Sequence, residues 1–156
     1  KTLKENFDIR LLIVGKAKDD LYFRKLLQLV KNNNLEKNIS FLGWKNALEL
    51  KDIYKESDIN LISSEAEGIP RVMLEGFNYG LPLVSNRIVG ITDRLKNYEN
   101  VIYYDKDDPK DIANSITIMI KNSEIRKKII KNNYVMSKEN SIDRISNEIN
   151  QTIKNL

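Results

Sequence analysis

Two glutamates, Glu67 and Glu75, enclose seven residues in the run Ser63-Ser64-Glu65-Ala66-Glu67-Gly68-Ile69-Pro70-Arg71-Val72-Met73-Leu74-Glu75. The run follows an apolar stretch with strand character and leads into a helical pattern. Turns at the carboxyl ends of strands are where open α/β sheets bind ligands, and two carboxylates at such a turn can grip a polyol that no hydrophobic core would need. Beside them, Gly68 permits close backbone approach, and the free N–H groups of Arg71 and Val72 in the first helical turn offer a site for phosphate oxygens, aided by the helix dipole. The Arg71 side chain could add a cation, or be an ordinary solvated arginine. Plain structural roles stand beside these readings. Glu75 could be a solvent-facing helical glutamate, Glu67 an anion at a helix N-terminus worth about 0.3–1 kcal/mol, and Ser64 a local cap of the turn.

The elements that must carry this turn alternate between strand and helix. Ile9-Arg10-Leu11-Leu12-Ile13-Val14 is a β-branched-rich run ending at Gly15, which predicts a strand buried on both faces of a parallel sheet. Leu21 to Val30 follows as an amphipathic helix stopped by Asn32-Asn33-Asn34. Ile39-Ser40-Phe41-Leu42, closed by Gly43, reads as a second strand, Ala47 to Tyr54 as a short helix, and Ile59-Asn60-Leu61-Ile62 as a third strand. Pro70 is expected at a first helical position, with Gly80 just past the helix end. Leu81-Pro82-Leu83-Val84-Ser85 and Val101-Ile102-Tyr103-Tyr104 supply further strands. From Pro109 onward only helical stripes remain: Ile112, Ile116, Met119 and Ile120, then Ile125, Ile129, Ile130 and Tyr134, then Ile142, Ile145, Ile149, Ile153 and Leu156. Strands alternating with helices at this spacing imply right-handed βαβ crossovers in an α/β fold.

Composition narrows the chemistry. A chain of 156 residues that is 41% apolar can bury one substantial core, which predicts a single domain. With no histidine and no cysteine, imidazole bases, Ser-His-Asp triads, thiolate chemistry and the usual zinc sites are excluded. What remains is carboxylates, Lys, Arg and main-chain amides. The 26 basic and 22 acidic residues leave a net charge of +4, but they are mixed along the helices, so a solvated surface is expected and no nucleic-acid partner. No apolar run of about 18 residues and no signal-peptide pattern occur, which predicts a soluble, cytoplasmic domain.

The string from Ser64 to Val84 closely resembles the donor-site signature of retaining GT-B glycosyltransferases, glycosyltransferase family 4 (group 1). That pattern is matched in order by Ser64, the pair Glu67-Gly68, Glu75 beyond seven intervening residues, and then Gly80, Pro82 and the pair Leu83-Val84. The resemblance extends outward. Ile13-Val14-Gly15 is similar to the strand and glycine opening the nucleotide crevice, Phe41-Leu42-Gly43-Trp44 to the loop beside the base, and Val89-Gly90-Ile91-Thr92-Asp93 to a later glycine turn. Two departures touch the phosphate side. Lys16-Ala17-Lys18 stand where a second glycine is usual, and Gly90 stands alone where a Gly-Gly pair is common.

The resemblance implies a Rossmann-like, mostly parallel sheet with helices on both faces. Residues 1–156 would form the nucleotide-sugar-binding domain, the carboxyl-terminal half of a longer enzyme. The acceptor domain, the first strand of this domain and its pyrophosphate-binding Arg and Lys would then lie upstream. The implied reaction moves a hexosyl unit from a nucleotide diphosphate sugar to an acceptor hydroxyl. In it Glu75 accepts from the ribose 2′ and 3′ hydroxyls, and Glu67 lies near the hexose, orienting hydroxyls or stabilising charge at the anomeric carbon. Gly15, Lys16 and Gly43 would border the donor, and Trp44 would flank the base or else pack partly into the core. No metal ion is implied. Basic side chains and helix amides would neutralise the diphosphate, and Asp107-Asp108 before Pro109 would cap a helix. Cell-surface polysaccharide or glycolipid synthesis is implied by association, with the parent enzyme in the cytoplasm or peripherally attached to the inner face of the cell membrane. Two alternatives remain: a noncatalytic α/β interaction module, and a GT-B sugar-nucleotide epimerase, which relies on different acidic and histidine residues.

Overall fold

Short parallel strands linked through helices account for the regular structure, as the alternating pattern predicts. The computed structural model describes residue 3 and residues 6–17 and 19–139, and the chain divides into two units, Lys1–Ile53 and Tyr54–Leu156.

In the first unit, β1 (Leu11–Val14) lies parallel to β2 (Ile39–Gly43), with Leu11 opposite Ile39 and a register irregularity between Ile13 and Val14. Helix α1 (Asp20–Asn32) makes the crossover. Asp19 caps it by accepting from the Tyr22 N–H at 2.9 Å, and Asn34 at φ 53° turns the chain out of it. Phe23 of α1 meets Phe41 of β2 edge to face at 5.1 Å. Helix α2 (Ala47–Lys55) begins with a capping box: Asn46 Oδ1 accepts from Leu48 and Glu49 N–H, and Glu49 Oε2 accepts from Asn46 N–H. β1 is not buried on both faces as its composition predicts. Ile13 and Val14 are each 37% exposed, because β2 is its sole partner strand among the described residues.

In the second unit, β3 (Asn60–Ile62), β4 (Leu83–Asn86) and β5 (Val101–Tyr104) form a parallel sheet in the order β3-β4-β5, with Ile62 opposite Ser85 and Asn86 opposite Tyr104. The strand period of two divides the core. Ile62, Leu83, Val101 and Tyr103 pack with Met73 and Phe77 of α3 (Arg71–Asn78) and Ile91 of α4 (Val89–Thr92). Val84, Ile102 and Tyr104 pack with Met119 of α5 (Pro109–Lys121) and Ile129 of α6 (Ser123–Glu139). Helices therefore cover both faces, and every position of β4 and β5 is buried. Asp108 caps α5, accepting from Lys110 N–H at 2.8 Å. At its other end Arg126 donates to the carbonyls of Met119 and Ile120. Fully buried Asn133 ties α6 to the loop before β5, donating to the Asn100 carbonyl at 2.8 Å and accepting from the Asn100 side chain at 3.2 Å. Pro70 is the N-cap of α3, one residue earlier than the sequence pattern predicts. The stripe at Ile142, Ile145, Ile149, Ile153 and Leu156 lies outside the described residues.

Two tyrosines of β5 make stability depend on alkaline pH. Tyr103 Oη donates to the Leu95 carbonyl and Tyr104 Oη to the Ile62 carbonyl. Burial pushes Tyr103 up to about 12 from the ordinary tyrosine value, and Tyr104 also upward. Both groups are thus harder to ionise folded than unfolded, so their contribution is complete below pH about 10 and is lost as pH rises through the folded-state values. Denaturation midpoints are expected to be flat between pH 8 and about 9.5 and to fall from pH about 10 to 12. Tyr103→Phe should flatten that fall, and a variant that loses stability with the same alkaline slope as wild type would contradict the assignment.

Candidate functional site

The motif turn leaves β3 and returns to α3 over residues 63–70. A strand end alone does not fix a loop of this length, and two neighbours and one internal hydrogen bond do so here. Asn86, the last residue of β4, donates from Nδ2 to the Ser64 carbonyl at 2.8 Å. Ser64 in turn donates its hydroxyl to Glu67 Oε1 at 2.9 Å. On the far side α4 packs so closely that a Cβ at Gly90 would overlap the carbonyl oxygens of Glu67 and Gly68, so glycine is required by close approach. Ser64 thus acts as the local brace its position allows, and its partner is Glu67 itself.

The residues after the turn sit on a helix whose start is open. Pro70 provides no side-chain cap, and the Met73 N–H is already bonded to the Pro70 carbonyl at 3.0 Å. The amides of Arg71 and Val72 are the first two of α3, where the helix itself offers no acceptor. Val72 is 46% exposed. Asn60 holds this turn from below, donating from Nδ2 to the Val72 carbonyl at 2.8 Å. Glu75 lies one turn further on. Its Oε2 accepts from Tyr54 Oη at 3.0 Å, and its Oε1 lies 3.9 Å from Arg71 Nη2. With the Arg71 side chain 89% exposed, that ion pair contributes little. Tyr54 is half-buried, and burial first, then the bond to Glu75, holds its hydroxyl well above the ordinary tyrosine value.

Within the first unit the structure brings Gly15 and Gly43 together at the carboxyl ends of β1 and β2. The Gly15 N–H donates to the Gly43 carbonyl at 2.9 Å, with φ of +141° and +68° respectively, conformations that favour glycine. Lys16 follows, exposed. Trp44 is 72% exposed, so it is not a core residue of the described structure. In the second unit Glu67, Gly68, Arg71, Val72 and Glu75 share one turn-helix segment. Asn60, Asn86 and Tyr54 escape sequence reasoning, and the signals that could have found them are Asn60 as a polar residue within the apolar run 59–62 and Asn86 as a polar residue ending a strand. Among the described residues no group of three or more His, Cys, Asp or Glu side chains is placed to hold a metal ion, and no helix is long and apolar enough to cross a membrane.

The family model for Glycosyl transferases group 1 matches residues 1–136. The chain belongs to that family. An uncharacterised glycosyltransferase of Methanocaldococcus jannaschii is 26% identical over 140 residues, 90% of this chain and 39% of the relative. HepE of Anabaena, solved in complex with UDP and with UDP-glucose, superposes with a TM-score of 0.80 at 21% identity for the UDP complex, over 95% of this chain and 41% of HepE. The C-terminal domain of the group 1 glycosyl transferase LpcC from Francisella tularensis superposes at 0.75 with 23% identity, over 89% of this chain and 73% of that domain. The fold is that of the carboxyl-terminal half of a GT-B glycosyltransferase, and the chain spans about two-fifths of the M. jannaschii relative and of HepE.

Close packing of the motif turn on α4 gives a direct test. Gly90→Ala should lower unfolding stability by about 1–3 kcal/mol, as overpacked sites do, and speed amide exchange over residues 64–70. An unchanged urea midpoint with unchanged exchange would show that the turn does not rest on Gly90.

Proposed function

We propose that this chain is the donor-binding domain of a retaining family 4 glycosyltransferase that moves a hexosyl unit from a nucleotide diphosphate sugar to an acceptor hydroxyl. The observation that carries the reading is the single segment in which Glu67, the open amides of Arg71 and Val72, and Glu75 follow one another in a group 1 family member. HepE, with which the chain shares its fold, has been solved with UDP and UDP-glucose, which favours a nucleoside diphosphate sugar as the ligand class.

In this reading the diphosphate meets the first-turn amides of α3, where partial positive charge is concentrated and Arg71 is within reach as a mobile cation. The ribose then lies along the helix toward Glu75. Each carboxylate has about four lone-pair positions, so Glu75 retains acceptor capacity for a diol after accepting from Tyr54. Glu67 faces the sugar end. It orients hydroxyls or stabilises positive charge at the anomeric carbon as the glycosidic bond to phosphate breaks. No metal ion takes part in this reading. The acceptor is bound by a separate amino-terminal domain, so the chain alone binds nucleotide weakly and turns over nothing. Cell-surface polysaccharide or glycolipid assembly, at the cytoplasmic face of the membrane, completes the reading.

Glu75→Gln should weaken nucleotide binding at least tenfold, since a charge-assisted hydrogen bond contributes about 1.5–3 kcal/mol. Glu67→Gln in the active parent enzyme should lower kcat about a hundredfold while leaving donor KM within about threefold. Calorimetry with UDP, GDP and their sugars, followed by steady-state rates, measures both. Binding of none of these ligands, or full activity in both variants, would remove the proposal.

A further inference from the structure

Tyr54 opens the second unit from the end of α2, and it is tied to α3 at two places. Its hydroxyl donates to Glu75 Oε2 at 3.0 Å, and its ring stacks on that of Tyr79 with centroids 5.3 Å and planes 10° apart. Tyr79 is the C-cap of α3, one helical turn beyond Glu75. A ring held by stacking carries its hydroxyl at a fixed point, and a fixed donor in turn selects one rotamer of the carboxylate it meets. Glu75 otherwise has three side-chain torsions to settle, and immobilising such a side chain at the moment of binding lowers affinity by about two- to twelvefold.

The two oxygens of Glu75 are therefore not equivalent. Oε2 is engaged by Tyr54, whereas the nearest cation to Oε1 is the exposed Arg71 at 3.9 Å, beyond hydrogen-bond distance. The Glu75 side chain as a whole is 36% exposed, which leaves its carboxylate reachable by an incoming hydroxyl. Protonation supports the same geometry. With its ionisation pushed to higher pH by burial and by Glu75, the Tyr54 hydroxyl remains a donor throughout the neutral range.

We infer that Tyr54 is a positioning residue for donor recognition, holding Glu75 with Oε1 presented to a ribose hydroxyl and so favouring ribonucleotide over 2′-deoxyribonucleotide donors. This inference rests on the reading of Glu75 as the ribose-binding carboxylate. A site built to accept from a hydroxyl discriminates against the analogue that lacks it, and the discrimination is largest when the acceptor cannot swing away to water. Tyr54→Phe removes only the hydroxyl and leaves the stack on Tyr79, so the fold is preserved and the effect is confined to Glu75.

The test is calorimetric titration of the protein carrying this chain with UDP and with 2′-deoxy-UDP, and with the guanosine pair if uridine is not the base. Wild type, Tyr54→Phe, Glu75→Gln and the double variant are compared, with melting curves as the control for folding. Tyr54→Phe is expected to weaken the ribonucleotide about three- to tenfold and the deoxy analogue by less than about twofold. In the Glu75→Gln background it should change neither. Equal weakening of both nucleotides by Tyr54→Phe, or effects of the two substitutions that simply add, overturns the positioning role while leaving the ribose reading intact. Wild-type protein that binds the two sugars equally and ignores Glu75→Gln overturns the ribose reading and the inference together.

Discussion

The Asn86 side chain sets the position of the candidate site. It stands at the end of β4, the central strand of its sheet, in which every residue is buried. Its Nδ2 reaches back to the Ser64 carbonyl, so the motif turn is anchored to the central strand of the sheet. The orientation of the amide is fixed by this bond, because a carbonyl can only accept. Oδ1 is consequently buried with no hydrogen-bond partner among the described residues. Helix α4 closes on the same turn through the missing Cβ of Gly90.

From this anchor the two glutamates inherit different mechanical characters. Glu67 is exposed within the loop and is braced by one hydroxyl, Ser64, which itself hangs from Asn86. Its carboxylate can move once a ligand competes for that hydrogen bond. Glu75 belongs to a helix, is partly covered, and is held by a buried-side phenol.

The α/β alternation and most strand positions were legible in the sequence because parallel strands are short, largely apolar runs bounded by glycine or polar residues, and Val101–Tyr104 and Ile39–Gly43 are of that kind. Burial was less legible. Leu11–Val14 has the composition of a doubly covered strand, yet covering depends on neighbouring strands that no local pattern specifies. The motif residues were legible through spacing, whereas the residues that hold them were not. Asn86 and Ser64 are 22 positions apart, Tyr54 and Glu75 are 21 apart, and Asn60 meets Val72 across 12. Hydrogen bonds of that separation leave no periodicity to detect. Gly90 illustrates the difference: its solitary glycine is visible in the sequence, but the carbonyls of Glu67 and Gly68 that demand it appear only in three dimensions.

The direction in which Glu75 points is decided by the core and not by the ligand. Met73, Gly76 and Phe77 are the buried residues of α3, and Met73 and Phe77 join the cluster beneath the sheet. At about 100° per residue these three lie within one narrow sector, and Arg71 and Glu75 then fall about half a turn away on the opposite side. Rotating the helix to hide Glu75 would expose Phe77, whose side chain is wholly buried, at a cost of about 1.5–3 kcal/mol from lost apolar burial alone. An exposed ion pair such as Arg71–Glu75 contributes well under that amount, so it cannot set the helix orientation. Apolar packing on one face of α3 therefore presents the carboxylate on the other, before any ligand arrives.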